Sequence, residues 1–267
     1  MCSPRQGLGC ASAQRLRLRA KVEYDGADFF GFQIQAQERT VQGEIERALK
    51  SVTGSETRVI GAGRTDRGVH ARGQVIAFEV EWKHTLADLH RALNAVLAAD
   101  VALLELARAP EGFHPRFSAR CRAYCYTVIN QQQRSPMERR TAWHVAQALD
   151  VKQMAQASLC LVGTQDFATF GRSPQARSGG NTVRTVHRAE WQKQPPYLIF
   201  DIEANAFLYR MVRSIVGTLV LVGRGQLSPQ EFEAALQAQD RSLIKRVAPA
   251  HGLCLMRVDY ATEGVLE

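Results

Sequence analysis

One carboxylate, Asp66, stands among three cations, Arg64, Arg67 and Arg72, within the eighteen residues from Gly61 to Phe78. The same stretch holds His70 and four glycines, Gly61, Gly63, Gly68 and Gly73. Glycine accepts positive φ and leaves room for close approach, so the segment can turn tightly or lie against a ligand. Guanidinium groups suit phosphate, and cations around a lone acid favour its negative form. Asp and Gly are also ordinary turn formers whose charges can face water. Three arginines and four glycines packed around one acid weigh against that bland alternative. The segment has the makings of a site.

The elements that must position this turn follow from periodicity. Leu16, Leu18, Ala20, Val22 and Tyr24 alternate with Arg15, Arg17, Arg19, Lys21 and Glu23, a half-buried strand with one basic face. Tyr24-Asp25-Gly26 closes it in a turn. Val41, Ile45, Ala48, Leu49 and Val52 mark an amphipathic helix behind Thr40 as N-cap. The Asp66 turn and a strand from Gln74 to Trp82 come next. A helix capped by Thr85, with Asp88 three residues on, and a strand from Val101 to Ala109 complete the first part.

Pro110 to Pro115 is a candidate boundary. Beyond it the sequence predicts a strand from Arg122 to Asn130 and a helix from Val151 to Val162 stopped by Gly163. A hairpin is expected from Arg184–Lys193 and Tyr197–Ala204 across Pro195-Pro196. An apolar helix from Phe207 to Val222, studded with Arg210 and Arg213, follows. Ser228-Pro229-Gln230-Glu231 is a capping box with proline at the first helical position, giving a helix to about Ala238. Leu253 to Tyr260 is a closing strand. Gly171 to Asn181 is expected to be a mobile loop. Both parts alternate strands and helices, without a repeat at the level of residues.

The composition bounds the partners. The 267 residues suit one large domain or two small ones, and a hydrophobic content of 45% supports a real core. Lys and Arg number 34 against 26 Asp and Glu, a net charge of +8 that favours a polyanion, nucleic acid before membrane. The arginines recur along the chain, which suits a folded basic groove better than a basic tail. The six cysteines show no C-x-x-C pair and no zinc spacing, so reduced thiols in a cytosolic protein are expected. Residues 1–14 carry no apolar core of a secretory signal and are expected to form a disordered extension. Ser214 to Gly223 is about half of the ~20 apolar residues a membrane span needs, so no membrane association is expected. No phosphate-binding Gly-x-x-x-x-Gly-Lys-Ser/Thr run appears, and no acidic cluster for Mg²⁺ accompanies Asp66.

Gly63-Arg64-Thr65-Asp66-x-Gly68-Val69-His70-Ala71 resembles the signature of the tRNA pseudouridine synthase A family. Four further segments agree with that family in order: Tyr24-Asp25-Gly26 with Gly31-Phe32-Gln33; Phe113 to Ala119 leading into Tyr124 and Tyr126; Asn205-Ala206-Phe207 through Met211-Val212-Arg213 to Ile215-Val216-Gly217; and Gly252-Leu253-Cys254-Leu255. Together they span residues 16 to 260. The resemblance implies an α+β fold, two similar halves sharing a central mostly antiparallel sheet with flanking helices. The N-terminal half would be 15–110 and the C-terminal half 111–267. It also implies a cytoplasmic homodimer that isomerises uridine to pseudouridine around positions 38 to 40 of the tRNA anticodon stem-loop, with no metal or cofactor.

Carried over by position, Asp66 resembles the catalytic nucleophile. Arg64 resembles the arginine that pairs with this carboxylate and helps displace the target base. Tyr124 resembles the tyrosine that stacks on the uracil, and Arg184 an active-site arginine of the second half. Arg213 matches a motif position expected to be structural or phosphate-binding, and His70 is expected to support the turn. Phe32 stands where the family usually has Trp, and Cys254 where an aromatic is frequent. The competing expectation is a catalytically silent tRNA-binding or RNA-chaperone protein. A binder has no use for a carboxylate in a phosphate-facing groove, where it weakens affinity. Asp66 therefore favours the enzyme.

Overall fold

A computed structural model describes residues 14–173, 180–244 and 246–261. The expected N-terminal extension lies outside them except for Gln14, as does most of the expected loop around 171–181. Three strands of the first part run side by side: β1 (Gln14–Tyr24), β3 (His70–Trp82) and β4 (Val101–Arg108), with the two-residue β2 (Ile60–Gly61) against β3. The second part adds β5 (Ala119–Asn130), β6 (Trp143–Val145), β7 (Gly163–Asp166), β8 (Val183–Gln194), β9 (Tyr197–Ala204) and β10 (Leu253–Tyr260). They form one sheet in the order β4-β1-β3-β10-β5-β9-β8-β7, with β6 beside β5. Among the described residues only the β3–β10 and β5–β6 pairs are parallel. The last described strand is thus the seam between early and late strands.

Helices cover one face. The alternation in β1 sends Leu16, Leu18, Ala20 and Val22 into a core with α1 (Val41–Thr53) and α2 (Leu86–Val96). A second core joins β5, β8 and β9 to α3 (Val151–Ser158), α4 (Met211–Gly223) and α5 (Pro229–Gln237). The expected caps are present. Thr40 accepts the Gly43 N–H, and Thr85 with Asp88 and Ser228 with Glu231 close reciprocal capping boxes.

Several expected bounds are corrected. The helix from Val151 ends at Ser158 and tightens into a 3-10 turn, Leu159–Leu161, before Gly163 at φ 107°. The helix expected from Phe207 starts at Met211, because Arg210 adopts φ 61° and lies outside the helical run it was expected to stud. The strand after Asp66 starts earlier, at His70, and β2, β6 and β7 were not foreseen. Segments of two to four residues are too short for a period to register.

Candidate active site

Asp66 sits on the turn between β2 and β3, where the two cores meet above the central strands. Its backbone is fixed by neighbours from the first strand and the loop after it. The Tyr24 and Thr65 hydroxyls are hydrogen-bonded at 2.8 Å in a buried contact. Phe32 N–H donates to Thr65 O at 3.1 Å, and Gly68 N–H to Phe29 O at 3.3 Å. Val69 N–H closes the turn onto Asp66 O at 3.1 Å. Gly68, at φ 79°, makes the left-handed step this turn needs; it alone of the four local glycines has positive φ. Phe32 is buried with its ring against Gly61, so the smaller aromatic fills its place by packing.

The partner of Asp66 is Arg213. Its Nη1 donates to Asp66 Oδ2 at 2.8 Å, across 147 positions of sequence, with both side chains mostly shielded from water. Arg213 is aimed by α4 and by the segment just before β10: its Nε donates to Ala248 O at 2.8 Å, and Ala248 N–H returns to Arg213 O at 2.9 Å. That segment can lie on α4 because Gly217 has no side chain; a Cβ there would run into the Arg246 carbonyl. The expected pairing of Asp66 with Arg64 is corrected by this geometry. Arg64 is exposed and makes no hydrogen bond or ion pair among the described residues. The carboxylate is met instead by a guanidinium delivered from α4.

Tyr124 reaches the same region from β5, packing on both cores, with its ring edge-on to Phe207 at 5.1 Å. Burial pushes its phenol well above the ordinary tyrosine range, and the Asp66 charge adds to the effect. The hydroxyl bonds to no protein group among the described residues. Arg122, two residues earlier on the same face, donates to Asn205 O at 2.6 Å, Arg116 O at 2.7 Å and Ala62 O at 3.2 Å. It ties the approach to Asp66, the loop before β5 and the approach to α4 to one guanidinium. Sequence reasoning missed Arg122, though its i, i+2 relation to Tyr124 on a predicted strand was available.

His70 is a brace, as expected. Nε2 faces Arg140 O at 2.8 Å and His251 O at 3.1 Å, two acceptors, so it carries a hydrogen; Nδ1 lies 3.1 Å from Gly26 N. Arg184 makes no hydrogen bond or ion pair with Asp66 among the described residues. Its Nη1 donates to Asn181 O at 3.0 Å and Val183 O at 2.6 Å, its Nε is buried without a partner, and burial lowers its pKa. The four described cysteines are free and half-buried. Among the described residues no group of three or more His, Cys, Asp or Glu is placed to hold a metal ion.

Together these residues set a paired, half-shielded carboxylate beside an aromatic ring with a free hydroxyl, ringed by arginines. Such a set can attack or deprotonate a planar, polar ligand carried on a polyanion. A family model described as tRNA pseudouridine synthase matches residues 20–118 and 157–261. The tRNA pseudouridine synthase A of Roseiflexus sp. (strain RS-1) is 43% identical over 248 residues, covering 91% of this chain and 90% of that protein. That of Halalkalibacterium halodurans is 42% identical over 252 residues, covering 94% and 95%. Among solved structures, a crystal structure of the archaeal box H/ACA sRNP Nop10-Cbf5 complex matches 77% of this chain but 43% of that chain, at 12% identity and a TM-score of 0.33. That likeness is too distant to add to the family match.

Proposed function

Since the chain belongs to the tRNA pseudouridine synthase family, we propose that it isomerises uridines 38 to 40 of the tRNA anticodon stem-loop with Asp66 as nucleophile. The overall change breaks the bond from N1 of uracil to C1′ of ribose and forms one from C5 to C1′. C5 loses a proton and N1 gains one. The observation that carries the role of Asp66 is its ion pair with Arg213, which presents a charged carboxylate and leaves Oδ1 without a hydrogen bond among the described residues. Arg213 therefore orients the nucleophile.

The target base must leave its stack, at a cost of a few kcal/mol. Arg64, exposed and unpaired, is free to take the place the base vacates. Tyr124 receives the uracil on its ring. Its raised phenol stays neutral, so it moves the C5 proton only as a relay, handing its own hydroxyl proton on to water as its oxygen takes the new one. Arg184 contacts the RNA from the far strands. The chain acts as a cytoplasmic homodimer of two similar halves, 15–110 and 111–267. The resemblance supports the dimer, and no helix among the described residues is long and apolar enough to cross a membrane.

The site of reaction is tested by mapping pseudouridine, through carbodiimide labelling and primer extension, in tRNA incubated with the enzyme. Stops confined to positions 38 to 40 support the reading. Modification elsewhere, with those positions untouched, overturns it. Light scattering on the eluting protein checks the dimer; a monomer mass at micromolar concentration contradicts it.

A further inference from the structure

Three arginines from separate segments gather at the start of α4. Arg172 is joined to Tyr209 by an isolated backbone bridge, Tyr209 N–H to Arg172 O at 3.0 Å and Arg172 N–H to Tyr209 O at 3.4 Å. Arg210 follows, its guanidinium 4.9 Å from the centre of the Tyr209 ring. Arg241 opens a 3-10 turn, Arg241–Leu243, and its Nη1 is buried with no hydrogen-bond partner. Burial lowers the pKa of Arg241, and the charges of Arg172 and Arg210 lower it further.

None of the three pairs with a carboxylate among the described residues. Other arginines of the chain do so readily: Arg140 with Asp25 and Asp28, Arg257 with Glu203 and Asp259. Like charges held together without a counter-ion repel, and a buried donor left unpaired carries the cost of desolvation. The backbone is under tension at the same place. Arg210 holds a left-handed conformation that suits Gly or Asn, and it gives α4 no capping side chain. Non-glycine residues in such conformations cluster at ligand-binding sites. An anion would satisfy the charges, the orphan Nη1 and the free amides at the head of α4 together.

We propose that Arg172, Arg210 and Arg241 form a phosphodiester-binding site that grips the RNA strand flanking the target uridine. The inference rests on the reading of this chain as a tRNA-modifying enzyme. Its position supports it: Arg213, which holds Asp66, stands three residues beyond Arg210, about one turn along the axis. A phosphate held here fixes the strand on the approach to the reacting sugar. The same chemistry could serve free inorganic phosphate, and the test separates the two.

Binding of labelled tRNA is measured for wild type, Arg210→Asn and Arg241→Gln across a range of salt, with melting temperatures beside it. Each lost phosphate contact flattens the slope of log affinity against log salt by about 0.7 to 0.9, and weakens binding roughly five- to eightfold at ~0.1 M salt. Arg210→Asn melts at or above wild type, because Asn tolerates the left-handed backbone, so weaker binding cannot be ascribed to unfolding. Wild-type affinity and slope in both variants overturn the site while leaving the functional reading intact. Wild type that neither binds nor isomerises tRNA overturns that reading instead. Stabilisation of wild type but not Arg210→Asn by inorganic phosphate at fixed ionic strength, with equal tRNA binding, overturns the assignment to RNA.

Discussion

Asp66 gives one oxygen to Arg213 and keeps the other free, and both halves of that arrangement can be tested by substitution. Arg213→Lys keeps the charge but loses the fork that reaches Ala248 O and Asp66 at once. It should lower kcat by about two orders of magnitude, as expected when a reacting group is misplaced by an ångström. Near-normal kcat in steady-state assays would mean that Arg213 orients nothing. Arg64→Gln should separate activity from stability in the opposite sense. The side chain is exposed and unbonded, so stability should stay within about 0.5 kcal/mol by thermal melting, while turnover falls. A variant as active as wild type removes Arg64 from the reaction. The turn, its acid and its arginines were legible in sequence because they are contiguous. The partner of the acid was not, since a contact spanning 147 positions exists only after α4 and the strands have packed.

At the scale of elements, the site depends on segments being held at close distance rather than on any one strand. Arg122 donates to three carbonyls from three segments. Arg122→Met keeps the aliphatic bulk but leaves those acceptors unmatched, and should cost about 1–3 kcal/mol in denaturant titrations. Gly217→Ala drives a methyl into the Arg246 carbonyl and should cost a similar amount, about 1–3 kcal/mol, because backbone cannot step aside as a side chain can. Helices were legible where caps and a 3.6-residue period coincide, as at Thr40, Thr85 and Ser228. The start of α4 was not: Phe207 and Leu208 continue its apolar pattern, and only the left-handed Arg210 breaks it. The seam made by β10 between β3 and β5 could not be foreseen either, since strand order is decided by packing across the sheet.

The whole molecule combines an excess of basic charge with a site set between two cores. Activity at subsaturating tRNA should fall steeply with salt, as several phosphate contacts are screened. Stability should also depend on pH through His251, which burial makes harder to protonate. In the unfolded chain this imidazole takes up a proton near pH 6.5. Its folded pKa is lower, so the unfolded state binds more protons as pH falls through that value. The contribution of His251 is therefore fully present above about pH 6.5 and is lost below it. Melting temperatures followed from pH 7.5 to 5.5 should drop less in His251→Asn than in wild type; equal slopes would show that His251 is not responsible. The central claim is that Asp66 drives loss of the C5 proton from a tRNA uridine. It is tested most directly by tritium release from tRNA labelled at C5 of uridine, with wild type and Asp66→Ala side by side. Release by wild type and none by Asp66→Ala, with tRNA still bound by the variant, is the predicted result. Release by both at comparable rates would contradict it.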